Sequence, residues 1–136
     1  MVVRLRLKIK GPKQEAIETS GIANAGYESR VPEAAVPSKL ARKLGLKPKM
    51  KGSRRERYRA ASGTFSVTRY PRSLEVEVLT EDRSVKCIAD AIVIKGLDEV
   101  LLSDQSLSRL GIVILDAARG LWRFADDSLD RVRESV

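Results

Sequence analysis

The sequence predicts a mostly β fold, a closed or nearly closed barrel of six to eight strands with two short helices. Residues 3–9 alternate strictly between apolar and basic side chains, which is typical of a strand with one buried face. Apolar runs of strand length recur along the rest of the chain and are separated by glycine, proline and aspartate turn signals. Only residues 38–45 and 104–111 combine a helical apolar pattern with a terminal glycine.

The length and composition indicate one domain. A chain of 136 residues with 43% apolar side chains is long enough to bury a core. We expect this core over about residues 2–125 and a tail at residues 126–136. No apolar run approaches the roughly 18–20 residues of a membrane span, and the first residues lack the apolar stretch of a signal peptide. The expected location is therefore cytoplasmic, with no membrane partner.

Two absences restrict the chemistry. The chain has no histidine, which excludes Ser-His-Asp and Cys-His catalysis and histidine-ligated metals. Its single cysteine, Cys87, excludes an internal disulfide and a cysteine-cluster zinc site. We therefore expect no metal and no cofactor. Asparagine and glutamine are scarce and 32% of the residues are charged, a composition that resembles heat-adapted proteins and predicts a thermophilic source.

The first half of the chain predicts a β-hairpin followed by a helix. A Gly-Pro pair ends the alternating strand, and glycines and prolines then interrupt every regular pattern as far as Ser38. Ser38 is the expected N-cap of the first helix, and Gly45 is its C-terminal glycine. The predicted elements are strands at residues 2–9 and 15–19, an irregular segment at 20–37, a helix at 38–45 and an exposed basic loop at 47–59.

The second half predicts two hairpins, a long buried strand and a second helix. Pro71-Arg72 separates two strand-like runs, as the turn of a hairpin does. Asp104 is expected to cap the second helix, and Cys87 and Trp122 fall at positions expected to be buried. The predicted elements are strands at residues 64–70, 73–79, 85–94, 100–102, 112–115 and 121–124, a helix at 104–110 and a short amphipathic helix from residue 126.

The order of these elements and several short sequence motifs resemble those of the retropepsin-like aspartic proteases of prokaryotic or archaeal type. In that family a hairpin ends at Asp-Thr/Ser-Gly, a helix ending in Leu-Gly-Leu and a flap hairpin follow, and an apolar strand then precedes a helix ending in Leu-Gly-Ile. The likeness covers most of residues 3–124. The matching motifs are residues 36–46 (VPSKLARKLGL), residues 101–112 (LLSDQSLSRLGI), and Ile114-Leu115-Asp116 with Gly120-Leu121-Trp122 in the closing hairpin.

The resemblance implies an acid-protease barrel that works as a homodimer. A chain of this size supplies one aspartate, whereas the chemistry needs two carboxyl groups that share a proton. The sequence contains no Asp-Thr-Gly or Asp-Ser-Gly. At the position expected for this catalytic motif it has Glu18, Thr19, Ser20 and Gly21.

These residues do not replace the missing aspartate in an obvious way. The Thr19 hydroxyl is no general base, and no histidine is present to activate it. The longer side chain of Glu18 would displace the carboxyl group by about 1.5 Å, and errors of ~1 Å can cost ~100-fold in rate. Strand alternation places Glu18 and Thr19 on opposite faces. Glu18 is therefore the only nearby residue on which a catalytic hypothesis rests.

The segment at residues 22–30 resembles an insertion beside this position. It contains Asn24, Tyr27 and Glu28, which offer an amide, an aromatic ring and a carboxylate. In the second matching motif, residues 101–112, Ser103 replaces a glycine that the family has next to its active-site loop. We expect these four residues to contribute to a binding surface.

Three functions are open at this point. The first is a retropepsin-like domain without protease activity, a homodimer that binds a peptide. The second is an active aspartic-type peptidase that uses Glu18 or a non-standard acid. The third is a nucleic-acid-associated β-domain, because the net charge of +8 and the basic residues 47–59 favour anionic partners. Tyr58 is the only aromatic residue in that basic stretch, and aromatic residues are what single-stranded nucleic acid requires.

Overall fold

In the computed structural model, which describes residues 2–136, six strands close into a β-barrel. The strands are Arg4–Lys10 (β1), Ala16–Ala23 (β2), Glu33–Pro37 (β3), Arg54–Ala60 (β4), Gly63–Leu79 (β5), Ser84–Ile94 (β6), Val100–Leu102 (β7), Ile112–Asp116 (β8), Leu121–Phe124 (β9) and Arg133–Glu134 (β10), and the helices are Ser38–Leu44 (α1) and Asp104–Leu110 (α2). The barrel order is β1-β2-β7-β3-β6-β5, with β5 pairing back to β1. Strands form 51% of the protein and helices 10%, so the prediction of a mostly β barrel with two short helices is confirmed.

The alternating side chains of β1 fill the barrel interior. Leu5, Leu7 and Ile9 are at most 1% exposed, and the basic residues between them face solvent. Val78 and Val76 of β5 lie opposite Leu7 and Ile9 and are fully buried. Burial of one such side chain stabilises the fold by about 1.5–3 kcal/mol. Because β1 pairs with β2 on one side and β5 on the other, it has no free edge.

Strand β7 lies between β2 and β3 although it comes much later in the chain. It runs parallel to β2, with Val100 beside Gly21, and antiparallel to β3, with Leu102 beside Ala34. Residues 24–32 therefore cross the end of β7 to join β2 to β3, and α2 starts directly after β7. This crossover brings the end of the β1–β2 hairpin and the start of α2 together.

Residues 64–79 belong to one long strand, so the predicted hairpin at Pro71-Arg72 is wrong. β5 runs without reversal and pairs with β6 on both sides of an irregularity between Tyr70 and Leu74. Pro71 lies in this irregularity, where a strand tolerates a residue that has no N–H to donate. Arg72 there adopts a left-handed φ of 49°. The proline marks a bulge in a continuous strand.

Two further strands lie in segments that the sequence predicts to be irregular. β3 is short and lies between β6 and β7, where Ala34, Ala35 and Val36 are fully buried. β4 forms a hairpin with the first half of β5 and is the edge strand at the end of the sheet. The basic stretch is therefore an exposed loop only as far as Ser53, and its remainder is a strand. High charge is compatible with an edge strand, which has one side open to solvent.

The helix ends agree with the sequence better than the helix starts. Gly45 and Gly111 follow the two helices in the left-handed conformation, with φ of 89° and 76°. Ser103, and not Asp104, is the N-cap of α2, because its hydroxyl oxygen accepts a hydrogen bond from the Ser106 N–H. The residue before α1 is a proline with no side-chain cap, and the predicted cap, Ser38, is already helical.

The tail forms a strand and not the predicted amphipathic helix. β10 pairs with β9, where Arg133 lies opposite Trp122. The Arg133 guanidinium donates hydrogen bonds to Asp82 at 2.7 and 2.9 Å and to Asp127 at 2.9 Å. Leu129, in the segment predicted to form this helix, is 87% exposed. Ion pairs of a buried arginine therefore hold the tail against the domain.

Candidate functional site

The four residues predicted to mark the catalytic loop lie inside strand β2. Glu18, Thr19, Ser20 and Gly21 pair in register with residues 5–8 of β1, before the end of β2. The expectation that they form the loop at the hairpin end is therefore wrong. The threonine and serine are ordinary members of a paired strand.

Glu18, Thr19 and Ser20 do line an open groove of about 670 Å³ on the barrel wall. Glu99 lies in the same groove and accepts hydrogen bonds of 2.8 and 2.7 Å from the Nε and Nη2 of Arg4. This bidentate pair lowers the pKa of the Glu99 carboxyl group. A carboxylate bound in this way is stabilised as an anion, so Glu99 is unsuited to share a proton with Glu18.

Gly21 is required for packing and not for a turn. A Cβ atom built on Gly21 would lie 2.6 Å from Leu7 Cδ1 and 3.2 Å from both the Cβ and the carbonyl oxygen of Val100. The glycine therefore allows β7 and the barrel interior to approach β2 closely. This close packing explains why a glycine follows Thr19 and Ser20 in the sequence.

The β1–β2 hairpin ends at Ala23 and is followed directly by Asn24-Ala25-Gly26. The Asn24 N–H donates to the carbonyl oxygen of Leu102 at 3.2 Å, which anchors the loop to β7. The Asn24 side-chain Oδ1 accepts from the Gly26 N–H at 3.1 Å, and the Asn24 carbonyl oxygen accepts from the Tyr27 N–H at 3.0 Å. Asparagine commonly stabilises a tight turn in this way.

The start of α2 is attached to this loop. The Tyr27 carbonyl oxygen accepts from the Asp104 N–H at 2.7 Å, and the Asp104 carboxylate accepts from the Ser29 N–H at 3.0 Å. Ser103 is fully buried, and its hydroxyl oxygen accepts from the Glu33 N–H at 3.0 Å. The expectation that Ser103 contributes to a binding surface is wrong, because its side chain joins β3 to α2 in the interior.

A cluster of charged side chains lies beneath the β4–β5 hairpin, centred on Arg69. The Arg69 guanidinium donates to Asp90 Oδ2 through Nη1 and to Glu33 Oε2 through Nη2, both at 2.8 Å. Its Nε donates to Glu56 Oε1 at 2.9 Å, and its Nη2 also donates to the Tyr58 hydroxyl at 2.6 Å. Glu33, Asp90 and Arg69 are buried. Strands β3, β4, β5 and β6 each contribute at least one member of this Arg69 cluster.

Two tyrosines complete the shell around Glu33. The hydroxyl groups of Tyr27 and Tyr58 both donate to Glu33 Oε1 at 2.7 Å. Burial, and then the hydrogen bond to Glu33, raises the pKa of both phenols. Burial alone would lower the Arg69 pKa, but the hydrogen bonds to its carboxylates raise it above its ordinary value. The two tyrosines and Arg69 therefore remain protonated hydrogen-bond donors to these carboxylates.

A groove of about 600 Å³ runs between the edge of β4 and residues 28–31, with the Arg69 cluster at its base. The carboxylates at the base are bound to Arg69. Arg30 and Arg54 line the groove and are exposed, Arg57 and Arg59 belong to the β4 edge that borders it, and Glu28 is the exposed carboxylate on its wall. The groove is therefore basic and opens to solvent. Tyr27, predicted as a binding residue, contributes through Glu33 and not as a lining residue.

The Arg69 cluster is the part of this site that sequence reasoning missed. Its signal in the sequence is an isolated charge in each of three strand segments: Glu33 before three apolar residues, Arg69 between Thr68 and Tyr70, and Asp90 between two alanines. Such isolated charges in buried strands are paired in folded proteins. The pattern indicates that each needs a partner, but it does not say which partner.

Within residues 2–136 no group of three or more acidic or cysteine side chains is arranged to hold a metal ion. Cys87 is buried, as expected from its strand position, and burial raises the pKa of its thiol to about 11. Neither helix of the described chain has the length and apolar character needed to cross a bilayer.

Neither the protein-family models nor the curated proteins compared with this chain match it. Any function must therefore be inferred from the loop at Asn24, the Arg69 cluster and the basic groove beside β4.

Proposed function

We propose that this protein is a retropepsin-like domain that forms a homodimer and binds peptides without cleaving them. The observation that carries the proposal is the position of Asn24-Ala25-Gly26. In the family that the sequence resembles, the first hairpin ends at Asp-Thr/Ser-Gly. Here the β1–β2 hairpin is followed directly by these three residues. Asn24 then corresponds to the family's aspartate, and Gly26 corresponds to its glycine.

The order of elements around this loop supports the correspondence. α1 ends in Leu44-Gly45-Leu46, and the β4–β5 hairpin follows at the point in the chain where the family has its flap. β7 then precedes α2, which ends in Leu110-Gly111-Ile112. The two Leu-Gly motifs that carry the resemblance therefore lie at the C-terminal ends of α1 and α2, where the family has them. With the motif assigned to residues 24–26, no insertion at residues 22–30 is needed.

An amide at this position removes the chemistry of an aspartic protease. That chemistry requires one carboxylate to polarise a water molecule and one carboxylic acid to protonate the substrate carbonyl oxygen. The Asn24 side-chain amide neither takes up nor releases a proton at the pH values where an aspartic protease works. Its Oδ1 accepts the Gly26 N–H, so the loop retains an ordered turn but has no ionisable group. Glu18 lies in the middle of β2 and does not belong to this loop.

The dimer is supported by apolar surface at the chain ends. Val2 and Val136 lie on adjacent terminal segments, since the Val136 N–H donates to the carbonyl oxygen of Arg4 at 3.0 Å. Both valines are exposed, as is Val132 nearby in the tail. Association of two copies across a two-fold axis would bury this surface twice.

Restoring the acid tests the proposal in the full chain. Asn24→Asp combined with Ala25→Thr recreates Asp-Thr-Gly, and Asn24→Leu with Ala25→Thr is the matched control without an acid. Cleavage of an unfolded protein substrate is measured across roughly pH 3–7, where a carboxyl pair can share a proton. We expect no cleavage by the wild type or the leucine control and measurable acid proteolysis by the aspartate variant.

Three outcomes would contradict parts of the proposal. Wild-type cleavage that is lost in Glu18→Ala would favour the active peptidase. A folded, dimeric aspartate variant without proteolysis would refute the assignment of the catalytic loop to residues 24–26. A wild type that sediments as a monomer at concentrations of about 100 μM, far above the Kd of ordinary stable dimers, would refute the homodimer.

A further inference from the structure

We propose that the free edge of β4 binds an acidic peptide segment as an added β-strand. This deepens the peptide-binding role proposed above and rests on it for its biological meaning. The surface itself belongs to a single chain and needs neither the dimer nor the family resemblance. β4 ends the strand order of the sheet, with β5 on one side and no strand of residues 2–136 on the other. A strand with an unpaired row of N–H and C=O groups can accept another strand.

The register of β4 and β5 shows which backbone groups are free. The hairpin closes at the pair Ala60 and Gly63, with two turn residues between them. Ala60 and Gly63 must form a hydrogen-bonded pair. If they formed a non-hydrogen-bonded pair, the ladder hydrogen bonds next to them would have to join the two turn residues to each other. Hydrogen-bonded and non-hydrogen-bonded pairs alternate along an antiparallel ladder. The backbone N–H and C=O groups of Arg55, Arg57 and Arg59 therefore point away from β5, toward the open edge.

The same three arginines direct their side chains to solvent. All three are exposed, whereas Glu56 and Tyr58 between them turn to the opposite face and contact Arg69. Alternate residues of a strand lie about 6.6–6.8 Å apart, so the guanidinium groups form a row with that repeat. A peptide added as a strand has the same repeat. Acidic residues at every second position of the peptide would lie directly opposite the three arginines.

The intervening peptide residues would face the groove beside β4. The ring of Tyr58 and the side chain of Val31, which is 44% exposed, offer apolar surface there. Arg30 adds a further cation to the groove wall, and the carboxylates at its base are bound to Arg69. The ligand class is therefore a segment with acidic residues at alternate positions and uncharged residues between them.

Two other occupants fit this edge less well. A second copy of β4 paired antiparallel about a two-fold axis would place arginines opposite arginines, and like charges directly opposite are destabilising. Single-stranded nucleic acid needs exposed aromatic rings on which bases stack. The aromatic residues of this hairpin, Tyr58 and Phe65, instead pack edge-to-face on the opposite face, with ring centroids 6.4 Å apart. The exposed row of arginines has only Thr64, Ser66 and Thr68 as its cross-strand neighbours.

The experiment compares binding of two labelled peptides to the full-length protein by fluorescence anisotropy. One peptide alternates glutamate with valine, and the other has the same composition with the glutamates contiguous. We expect the alternating peptide to bind about tenfold more tightly. Arg55→Gln with Arg57→Gln is expected to weaken this binding about tenfold, because two cross-strand ion pairs are lost.

The chain offers a matched control for charge. Arg6→Gln with Lys8→Gln removes the same net charge from an exposed strand face with the same spacing, but β1 is paired on both edges. This control is expected to change the dissociation constant less than about twofold. N-methylation of the peptide backbone at the glutamates is expected to abolish binding, because it removes the N–H groups that would pair with β4.

The proposal is overturned by any of four results. These are equal binding of the two peptides, equal loss in the β1 control, retained binding of the methylated peptide, or tighter binding of an oligouridine than of the alternating peptide. Wild-type proteolysis or a monomeric wild type would refute the proposed function but would leave these results unchanged, so the two failures are distinguishable.

Discussion

Replacement of Arg69 by methionine removes the one guanidinium that joins four strands and leaves Glu33 and Asp90 buried without a counter-charge. Their side chains are 3% and 9% exposed, so solvent cannot compensate for the loss. Removing one partner of a buried ion pair costs about 3–5 kcal/mol. Glu33 would keep the Tyr27 and Tyr58 hydroxyl groups, and Asp90 would keep the Arg72 N–H at 2.7 Å. These remaining hydrogen bonds place the expected loss near the lower end, about 3 kcal/mol.

Equilibrium unfolding in urea at pH 7 measures this loss. With a urea m-value of about 1.5–2 kcal/mol/M, a loss of about 3 kcal/mol lowers the midpoint by about 1.5–2 M. Arg54→Met is the matched control, because Arg54 lies directly opposite Arg69 in the hairpin but its side chain is 61% exposed. The control is expected to cost less than about 1 kcal/mol. A difference of less than about 1 kcal/mol between the two variants would refute the reasoning that the Arg69 cluster is tightly coupled.

Three further predictions concern separate features of the structure. Gly21→Ala is expected to destabilise the protein by about 1–3 kcal/mol, because the added Cβ would meet Leu7 and Val100. Gly26→Ala is the control and is expected to cost less, because its Cβ would lie no closer than 3.4 Å to any side chain. Equal urea midpoints for the two variants would contradict this. Arg133 lowers the pKa of Asp127 to about 2, so its contribution is present above the unfolded carboxyl value of about 3.9 and is lost as the pH falls toward 2. The stability difference between wild type and Arg133→Met should therefore be largest near pH 7 and shrink below about pH 4; a difference that grows on acidification would be inconsistent with the ion pairs. Cys87 is buried and its thiol pKa is raised to about 11, so a disulfide reagent at pH 8 is expected to react slowly with the native protein and rapidly in denaturing urea, and similar rates in both would show that the thiol is accessible.

Features that depend on neighbours in the chain could be predicted from the sequence. The period-two pattern of β1 predicted both its strand structure and its buried face, since each side chain in a strand has a fixed direction relative to the next. Gly45 and Gly111 marked the helix ends because only a residue without Cβ readily adopts the left-handed conformation found there. Pro71 was misread because a turn and a bulge make the same local demand, a residue that does not donate to the ladder.

Features that depend on distant residues could not be predicted. The short β3, with three consecutive buried apolar residues, is a strand only because β6 and β7 lie on its two sides. Thr19-Ser20-Gly21 was expected near the end of the first hairpin, but β2 continues to Ala23 and Gly21 packs against Val100, about 80 residues along the chain. The predicted tail helix gave way to a strand because Arg133 binds Asp82, which lies 51 positions earlier.

The sequence by itself determined that this protein is mostly β, that its barrel has a β1 strand with one buried face, and that it has no histidine chemistry. The tertiary structure decided where the β1–β2 hairpin ends, which carboxylates Arg69 binds and which edge of the sheet is free. The physical reason is that side-chain alternation and glycine conformations are local properties of the backbone. Buried charges and strand edges, in contrast, acquire their energetic roles only from partners that the folded chain brings together.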